Sequence, residues 1–128
     1  MPKHRSGFTL IELLMVVVVM GILVAIALPK YASSRDKAKL TAVRVDVRNA
    51  ETAEESYYSD NGVYGSLAQL QSAGLISISP NNTMNVSARG TGYRVRATNR
   101  TIELGARSCS VQVGTGASVA IDGVISCP

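Results

Sequence analysis

The sequence predicts an α+β fold in which a long N-terminal helix packs on a small antiparallel sheet of about four strands. Three observations predict it: residues 8–28 form one apolar run, residues 29–59 carry apolar side chains at helical spacing, and residues 60–128 contain short strand-like runs separated by Asn, Gly and Thr. A chain of 128 residues has room for one such helix and one small domain.

The apolar run 8–28 contains a single charged side chain, Glu12. As a helix the run is about 32 Å long, close to the hydrocarbon core of a bilayer at about 30 Å. Lys3 and Arg5 precede it, and basic residues on that side keep the N-terminus in the cytoplasm. The pattern predicts one membrane span with the remainder of the chain exported. An ordinary secretory signal cut after Ala27 is the alternative, although it leaves Glu12 unexplained.

The stretch Gly7-Phe8-Thr9-Leu10-Ile11-Glu12 resembles the processing site of type IV prepilins and of the related pseudopilins. The resemblance implies a pilin-like fold and a basic leader, residues 1–7, that a prepilin peptidase removes before methylating Phe8. It also implies that the helix 8–28 is retained. The chain would then wait in the bacterial inner membrane as a single-pass protein and later enter an extracellular filament of identical subunits.

In this family context Glu12 is expected to serve assembly. Cleavage creates a positive amine at Phe8, and that amine, or the amine of a neighbouring subunit, offsets the cost of burying the carboxylate. The alternative is a carboxylate that only reaches the membrane interface. We also expect a kink at Pro29 and, by resemblance, loss of helicity between Gly21 and Pro29 on assembly; the alternative is a membrane helix that tolerates both residues.

The second half of the helix, residues 29–59, is predicted to be amphipathic and to end near Ser59, before the turn signal Asp60-Asn61-Gly62. One face collects Leu40, Val43, Val47, Ala50 and Tyr57. Basic residues come first along this half and acidic residues last, and the acidic block is Glu51, Glu54, Glu55 and Asp60. We expect these blocks to face solvent or to set the stagger between parallel helices in a filament.

Residues 60–128 are predicted to hold a short helix over Ser66–Ala73 with Ser66 as its N-cap, followed by the sheet. Turns are expected at residues 90–92 and 114–116. Five runs are candidate strands: Met84–Ala88, Tyr93–Thr98, Thr101–Leu104, Ser110–Val113 and Val119–Ile121.

Two pairs of residues in this part are candidate functional sites. Cys109 and Cys127 lie in the exported region, where thiols are oxidised, so we expect a disulfide; two free thiols are the alternative. The layout also resembles the disulfide-bounded C-terminal loop of many pilins. Arg94 and Arg96 share one face of a strand and form a candidate contact for DNA or another polyanion, the alternative being a solubilising face or a contact between subunits.

The sequence offers no catalytic constellation, and its one histidine, His4, lies in the leader. We expect no enzyme, no cofactor and no metal. The predicted function is that of a pilin, which polymerises with the help of an inner-membrane assembly platform and supports adhesion, motility or DNA uptake. The alternatives are a major pseudopilin of a type II secretion system and a secreted binding domain with an ordinary signal peptide.

Overall fold

The computed structural model describes residues 7–114 and 123–128. The chain divides into two compact units, residues 1–35 and residues 36–128. One long helix, α1 (Leu10–Asn61), begins in the first unit and ends in the second, and a short helix and three strands follow it. These are α2 (Leu67–Ser72), β1 (Asn82–Arg89), β2 (Gly92–Asn99) and β3 (Ser108–Val113). The predicted α+β class, with a helix packed on an antiparallel sheet, is confirmed.

In the first unit, the apolar side chains of α1 are exposed. The large apolar residues from Phe8 to Leu28 are 49–87% accessible. The helix continues through Gly21 and Pro29 without interruption. A kink at Pro29 and a change of conformation on assembly stay predictions.

In the second unit, α1 buries the face that its apolar spacing predicts. Val43, Val47 and Ala50 are fully buried, and Leu40 and Tyr57 pack against the same core. The helix ends at Asn61, beyond the expected Ser59.

The later end of α1 has a local cause. The Asn61 side-chain amide donates to the carbonyl of Tyr57 (2.9 Å), and the N–H of Gly62 donates to the carbonyl of Tyr58 (2.8 Å). Gly62 has φ +71°, the left-handed conformation that commonly closes a helix. Asp60 and Asn61 therefore belong to the last turn, and Gly62 terminates it.

The sheet is an antiparallel meander in the order β1-β2-β3. Tyr93, Val95 and Ala97 of β2 are buried on the side of the core, whereas Arg94 and Arg96 are exposed on the other side. The turn predicted at residues 90–92 joins β1 to β2, and α2 begins after Ser66 as expected.

The described sheet has three strands, and the expected count of about four is corrected accordingly. Thr101–Leu104 is not a strand because other groups bind its backbone amides. The N–H of Thr101 donates to the side chain of Asn99 (2.9 Å), and the N–H groups of Glu103 and Leu104 donate to the carboxylate of Asp36 (3.1 and 2.9 Å). The predicted strand Val119–Ile121 and most of the predicted turn at 114–116 lie outside the described residues.

The C-terminal segment lies along the free edge of β3. Ser126 and Ser110 exchange two backbone hydrogen bonds (2.8 and 2.9 Å), and Gly123 donates to the carbonyl of Gln112 (2.9 Å). Cys109, fully buried on β3, and Cys127 form a disulfide. The end of the chain is thus fixed covalently and by hydrogen bonds.

Three carboxylates of α1 hold three separate loops. Asp36 accepts from Glu103 and Leu104, as above. Asp46 accepts from the N–H and hydroxyl of Ser79 (3.1 and 2.7 Å), and Glu54 accepts from the N–H of Gly65 (2.8 Å). All three are at most 7% exposed. The helix therefore positions the connections around the sheet as well as supplying core side chains.

Candidate processing and assembly site

The peptide bond between Gly7 and Phe8 lies in backbone that precedes α1. Residues 7–9 are not helical, and α1 begins at Leu10. The Phe8 side chain is 87% exposed, and among the described residues no atom outside the adjacent positions lies within 4 Å of the place where a Cβ on Gly7 would be. A peptide bond outside the helix, next to an exposed side chain, is the kind of substrate that a peptidase can reach. The rest of the predicted leader, residues 1–6, lies outside the described residues.

Glu12 forms a capping box with Thr9 at the start of α1. The carboxylate Oε2 accepts from the backbone N–H and from the hydroxyl of Thr9, both at 2.8 Å. The Thr9 hydroxyl oxygen in turn accepts from the N–H of Glu12 at 3.3 Å. Two N–H groups of the first helical turn are thereby satisfied, and the carboxylate lies at the positive end of the helix dipole.

This role of Thr9 was missed in the sequence interpretation, although a signal was present. Thr9-Leu10-Ile11-Glu12 has the Thr-x-x-Glu spacing of a capping box directly before an apolar run. Because Thr9 and Glu12 lie in an apolar run, they were interpreted as part of a membrane segment and not as a helix cap. The structure adds that Glu12 has a local partner before any processing occurs.

The other predicted site residues occupy different places. Gly21 and Pro29 lie within α1 in the first unit, whereas Cys109, Arg94 and Arg96 belong to the second unit. By length and composition, the apolar part of α1 is sufficient for one membrane crossing.

The expectation for the acidic block of α1 requires a correction. Glu51 and Glu54 are 9% and 0% exposed, so they face the interior of the second unit and not solvent or a neighbouring helix. Glu51 pairs with Arg48 at 3.2 Å. Burial raises the pKa of both carboxyls, partly opposed by the Arg48 charge at Glu51 and by the Gly65 N–H at Glu54. Of the block, Glu55 and Asp60 remain exposed.

A family model described as the prokaryotic N-terminal methylation motif matches residues 2–28. The matched region contains Gly7, Phe8 and Glu12, and it ends where the apolar run ends.

Curated relatives match further along the chain. The chain is 39% identical over 93 residues to the Type IV wide pilus major component PilA4 of Thermus thermophilus, covering 71% of each protein. It is 42% identical over 67 residues to the Type II secretion system core protein G of Pseudomonas aeruginosa, covering 52% of this chain and 47% of that protein. It is 37% identical over 67 residues to the Type IV major pilin protein PilA of Myxococcus xanthus, covering 52% of this chain and 30% of that protein.

Proposed function

Because the chain belongs to the type IV pilin family, we propose that it is the structural subunit of a type IV pilus. In this proposal residues 8–28 hold the subunit in the bacterial inner membrane, and the same segment polymerises it into an extracellular filament. The partners are further copies of the chain, a prepilin peptidase and an inner-membrane assembly platform.

The observation that carries the proposal is the uncovered apolar surface of α1 from Phe8 to Leu28. An apolar surface of this extent is unfavourable in water and is expected to be buried against lipid or protein. Membrane lipid supplies that cover before assembly, and the helices of neighbouring subunits supply it in a filament. A subunit that exchanges one apolar environment for the other leaves the membrane without exposing this surface to water.

Processing in this proposal cuts the peptide bond between Gly7 and Phe8, and the new amine of Phe8 is methylated. All described hydrogen bonds of the Glu12 carboxylate use Oε2, so among the described residues Oε1 is left without a donor. The amine of Phe8 lies next to Thr9, whose N–H already binds that carboxylate. A positive amine here, from the same chain or a neighbour, compensates the charge of Glu12 in a dry filament core.

A major pseudopilin of a type II secretion system is the second candidate, favoured by the identity to core protein G over about half of this chain. Both candidates use the same N-terminal segment. The disulfide between Cys109 and Cys127 supports the pilin, because the family resemblance associates a C-terminal disulfide with pilins more than with major pseudopilins.

The proposal is tested by replacing Glu12→Gln and comparing the amount of subunit in sheared cell-surface material with the amount in membranes. We expect a roughly tenfold or greater loss from the sheared fraction, with the membrane pool and leader removal retained, because the uncharged side chain can no longer compensate the amine of Phe8 in a dry core. Glu103→Gln, which removes the same charge from an exposed side chain of the second unit, is the matched control and should leave filaments normal. Normal filaments from Glu12→Gln would contradict the role of Glu12. A wild-type chain processed at Gly7 but confined to membranes would favour the pseudopilin.

A further inference from the structure

The C-terminal end of the apolar run carries a compact group of polar side chains, all within the first unit. Lys30, Tyr31, Ser34 and Arg35 follow the run directly, and all four are exposed. The first and third of these residues are four positions apart in α1, and so are the second and fourth, so all four lie on one face of the helix. We call these four residues the flanking cluster.

Tyr31 and Arg35 contact each other within the cluster. The guanidinium of Arg35 lies over the Tyr31 ring, 5.9 Å from the ring centroid. An aromatic ring holds a guanidinium by its flat side and leaves the N–H groups at the guanidinium edge available to an acceptor. Because Tyr31 lies one turn before Arg35, the contact also shows that the arginine side chain extends back towards the apolar run, as long side chains on helices do.

The carboxylates nearest to the cluster in sequence are far away or engaged elsewhere. Glu12 is the one acidic residue between positions 7 and 35, and it lies about 27 Å before Lys30 along the helix. Asp36, which follows the cluster, accepts from Lys39 and from two backbone N–H groups of the second unit. In the described part of the first unit, the two cations of the cluster therefore have no carboxylate that neutralises them.

The position of the cluster along α1 corresponds to the headgroup layer of a bilayer. The run 8–28 matches the hydrocarbon core, and the headgroups add about 5–8 Å on each side of that core. Lys30 lies about 3 Å and Arg35 about 10 Å beyond the end of the run along the helix axis. Since the Arg35 side chain extends back to Tyr31, its guanidinium falls within this layer as well.

We propose that the flanking cluster binds the phosphate groups of anionic phospholipids in the exported leaflet of the inner membrane. The inference rests on the proposed function, in which residues 8–28 span that membrane. Lys30 supplies a point charge and Arg35 a fork of N–H donors, and both kinds of group bind phosphate. The Tyr31 ring suits the boundary between lipid and water. The cluster fixes the depth of the helix in the membrane before assembly.

The distribution of charge along the chain favours lipid as the occupant. Lysine and arginine near a membrane span are usually enriched on the cytoplasmic side, yet Lys30 and Arg35 lie at the exported end. Cleavage after Gly7 removes Lys3 and Arg5, so the cations of the cluster become the side-chain cations nearest to the span in the mature chain. Anionic lipid at the exported surface compensates for this unusual placement.

The test uses the absence of tryptophan from the sequence. Tyr31→Trp places a single indole in the cluster and keeps an aromatic face for Arg35. The full chain with this change is reconstituted in bilayers that mix phosphatidylglycerol with phosphatidylcholine, one of the two lipids being brominated near the glycerol end of its acyl chains. Because bromine quenches only a nearby indole, the fluorescence reports the lipid composition next to the cluster. We expect a roughly tenfold or greater preference for phosphatidylglycerol, which falls with added salt.

Charge variants made in the same background locate the preference. Lys30→Gln and Arg35→Gln should each lower it by roughly threefold to fivefold, because each removes one cation from the surface layer. Arg107→Gln is the matched control, since it removes the same charge from an exposed arginine of the second unit, and it should change the preference less than about twofold. Arg35→Lys, which keeps the charge without the fork, should lower the preference less than Arg35→Gln.

Equal quenching by the two lipids would overturn the inference and leave the membrane anchor intact, whereas no quenching by either lipid would contradict the proposed function itself. Equal losses in the three Gln variants would overturn the inference by showing a diffuse charge effect. An unchanged lipid preference in Lys30→Gln and Arg35→Gln, together with loss of sheared filaments, would assign the cluster to a neighbouring subunit. Competition by inorganic phosphate beyond that of sodium chloride at equal ionic strength would overturn lipid as the occupant in favour of a free anion.

Discussion

Asp46 shows how much a single side chain of α1 contributes to the second unit. It is 1% exposed and accepts from the N–H and hydroxyl of Ser79 and from the side-chain amide of Asn82 (2.6 Å). Asn82 in turn accepts from the amide of Asn99 at 2.7 Å, and Asn99 accepts from Thr101. One carboxylate thus connects the helix to the start of β1 and, through that contact, to the end of β2.

We predict that Asp46→Asn destabilises the second unit by about 2–3 kcal/mol, since it replaces a charged acceptor of three hydrogen bonds by a neutral amide that also brings unwanted donors. In a unit of this size the midpoint of thermal unfolding should fall by roughly 10 °C or more. The measurement is thermal unfolding of the full chain by circular dichroism in detergent. Asp60→Asn, at an exposed position near the end of the same helix, is the control and should not lower the midpoint. Equal midpoints for the two variants would contradict the structural role of Asp46.

For individual residues, the sequence predicted the apolar contacts better than the polar ones. The spacing of Val43, Val47 and Ala50 places them on one helix face, and all three are buried. The same spacing separates Glu54, which is fully buried, from Glu55, which is exposed, because Glu54 lies four residues after Ala50 and three before Tyr57 on the buried face. The sequence interpretation treated both as one charged block and missed this difference. The acceptor role of Glu54 depends on the loop at Gly65, which is a long-range contact.

Among the elements, α1 carries carboxyl groups whose pKa values are shifted in opposite directions. The N–H of Leu104, with help from Lys39 and the N–H of Glu103, lowers the pKa of Asp36 from its usual 3.8 despite desolvation. Burial raises the pKa of Glu54 and Glu51 from their usual 4.5. A lowered carboxyl pKa stabilises the fold above pH 3.8 and loses that effect as the pH falls through the folded-state value. A raised carboxyl pKa affects stability above the usual value of 4.5, and in that range the stability of the fold falls as the pH rises.

The raised pKa of Glu54 therefore predicts a pH dependence above 4.5. In that range the folded state binds more protons than the unfolded state, so stability falls as the pH rises through the window between 4.5 and the folded-state pKa. We predict that Glu54→Gln reduces this fall, because glutamine keeps an acceptor for the N–H of Gly65 and does not titrate. The measurement is thermal unfolding of both chains between about pH 5 and pH 8.

Glu55→Gln is the control for this experiment because Glu55 is adjacent and exposed, and its variant should keep most of the wild-type pH dependence. Glu51 contributes in the same direction, so a residual slope is expected in Glu54→Gln. A slope identical to that of the wild type would contradict the assignment to Glu54.

The elements also show where sequence patterns fail. Thr101–Leu104 has the composition of a strand, and Ile102 within it is 1% exposed, as a strand residue would be. The segment remains irregular because Asp36, which lies more than sixty residues earlier, accepts its amide groups. Local propensity cannot anticipate an acceptor at that distance. By contrast, α2 and the β1–β2 turn depend on neighbouring residues and were predicted correctly.

In the molecule as a whole, a unit with its own core follows a segment that has none. The second unit buries residues from α1, α2, β2 and β3 in one core, and apolar side chains of β1 pack against it. By contrast, the large apolar residues of the segment from Phe8 to Leu28 are at least 49% exposed. The composition of that segment, with Glu12 as its one charge, made this division predictable from the sequence. The capping of Glu12 by Thr9 required the structure, because it depends on where the helix begins.

The most direct test of this account is the mass of the N-terminal peptide of the chain isolated from sheared cell-surface material. The account predicts a peptide that begins at Phe8 and carries one methyl group on its amine, so that the apolar segment and Glu12 remain in the mature subunit. A chain that begins at Leu28 would show that the apolar run is a removable signal, and it would contradict the proposed role of α1 in assembly.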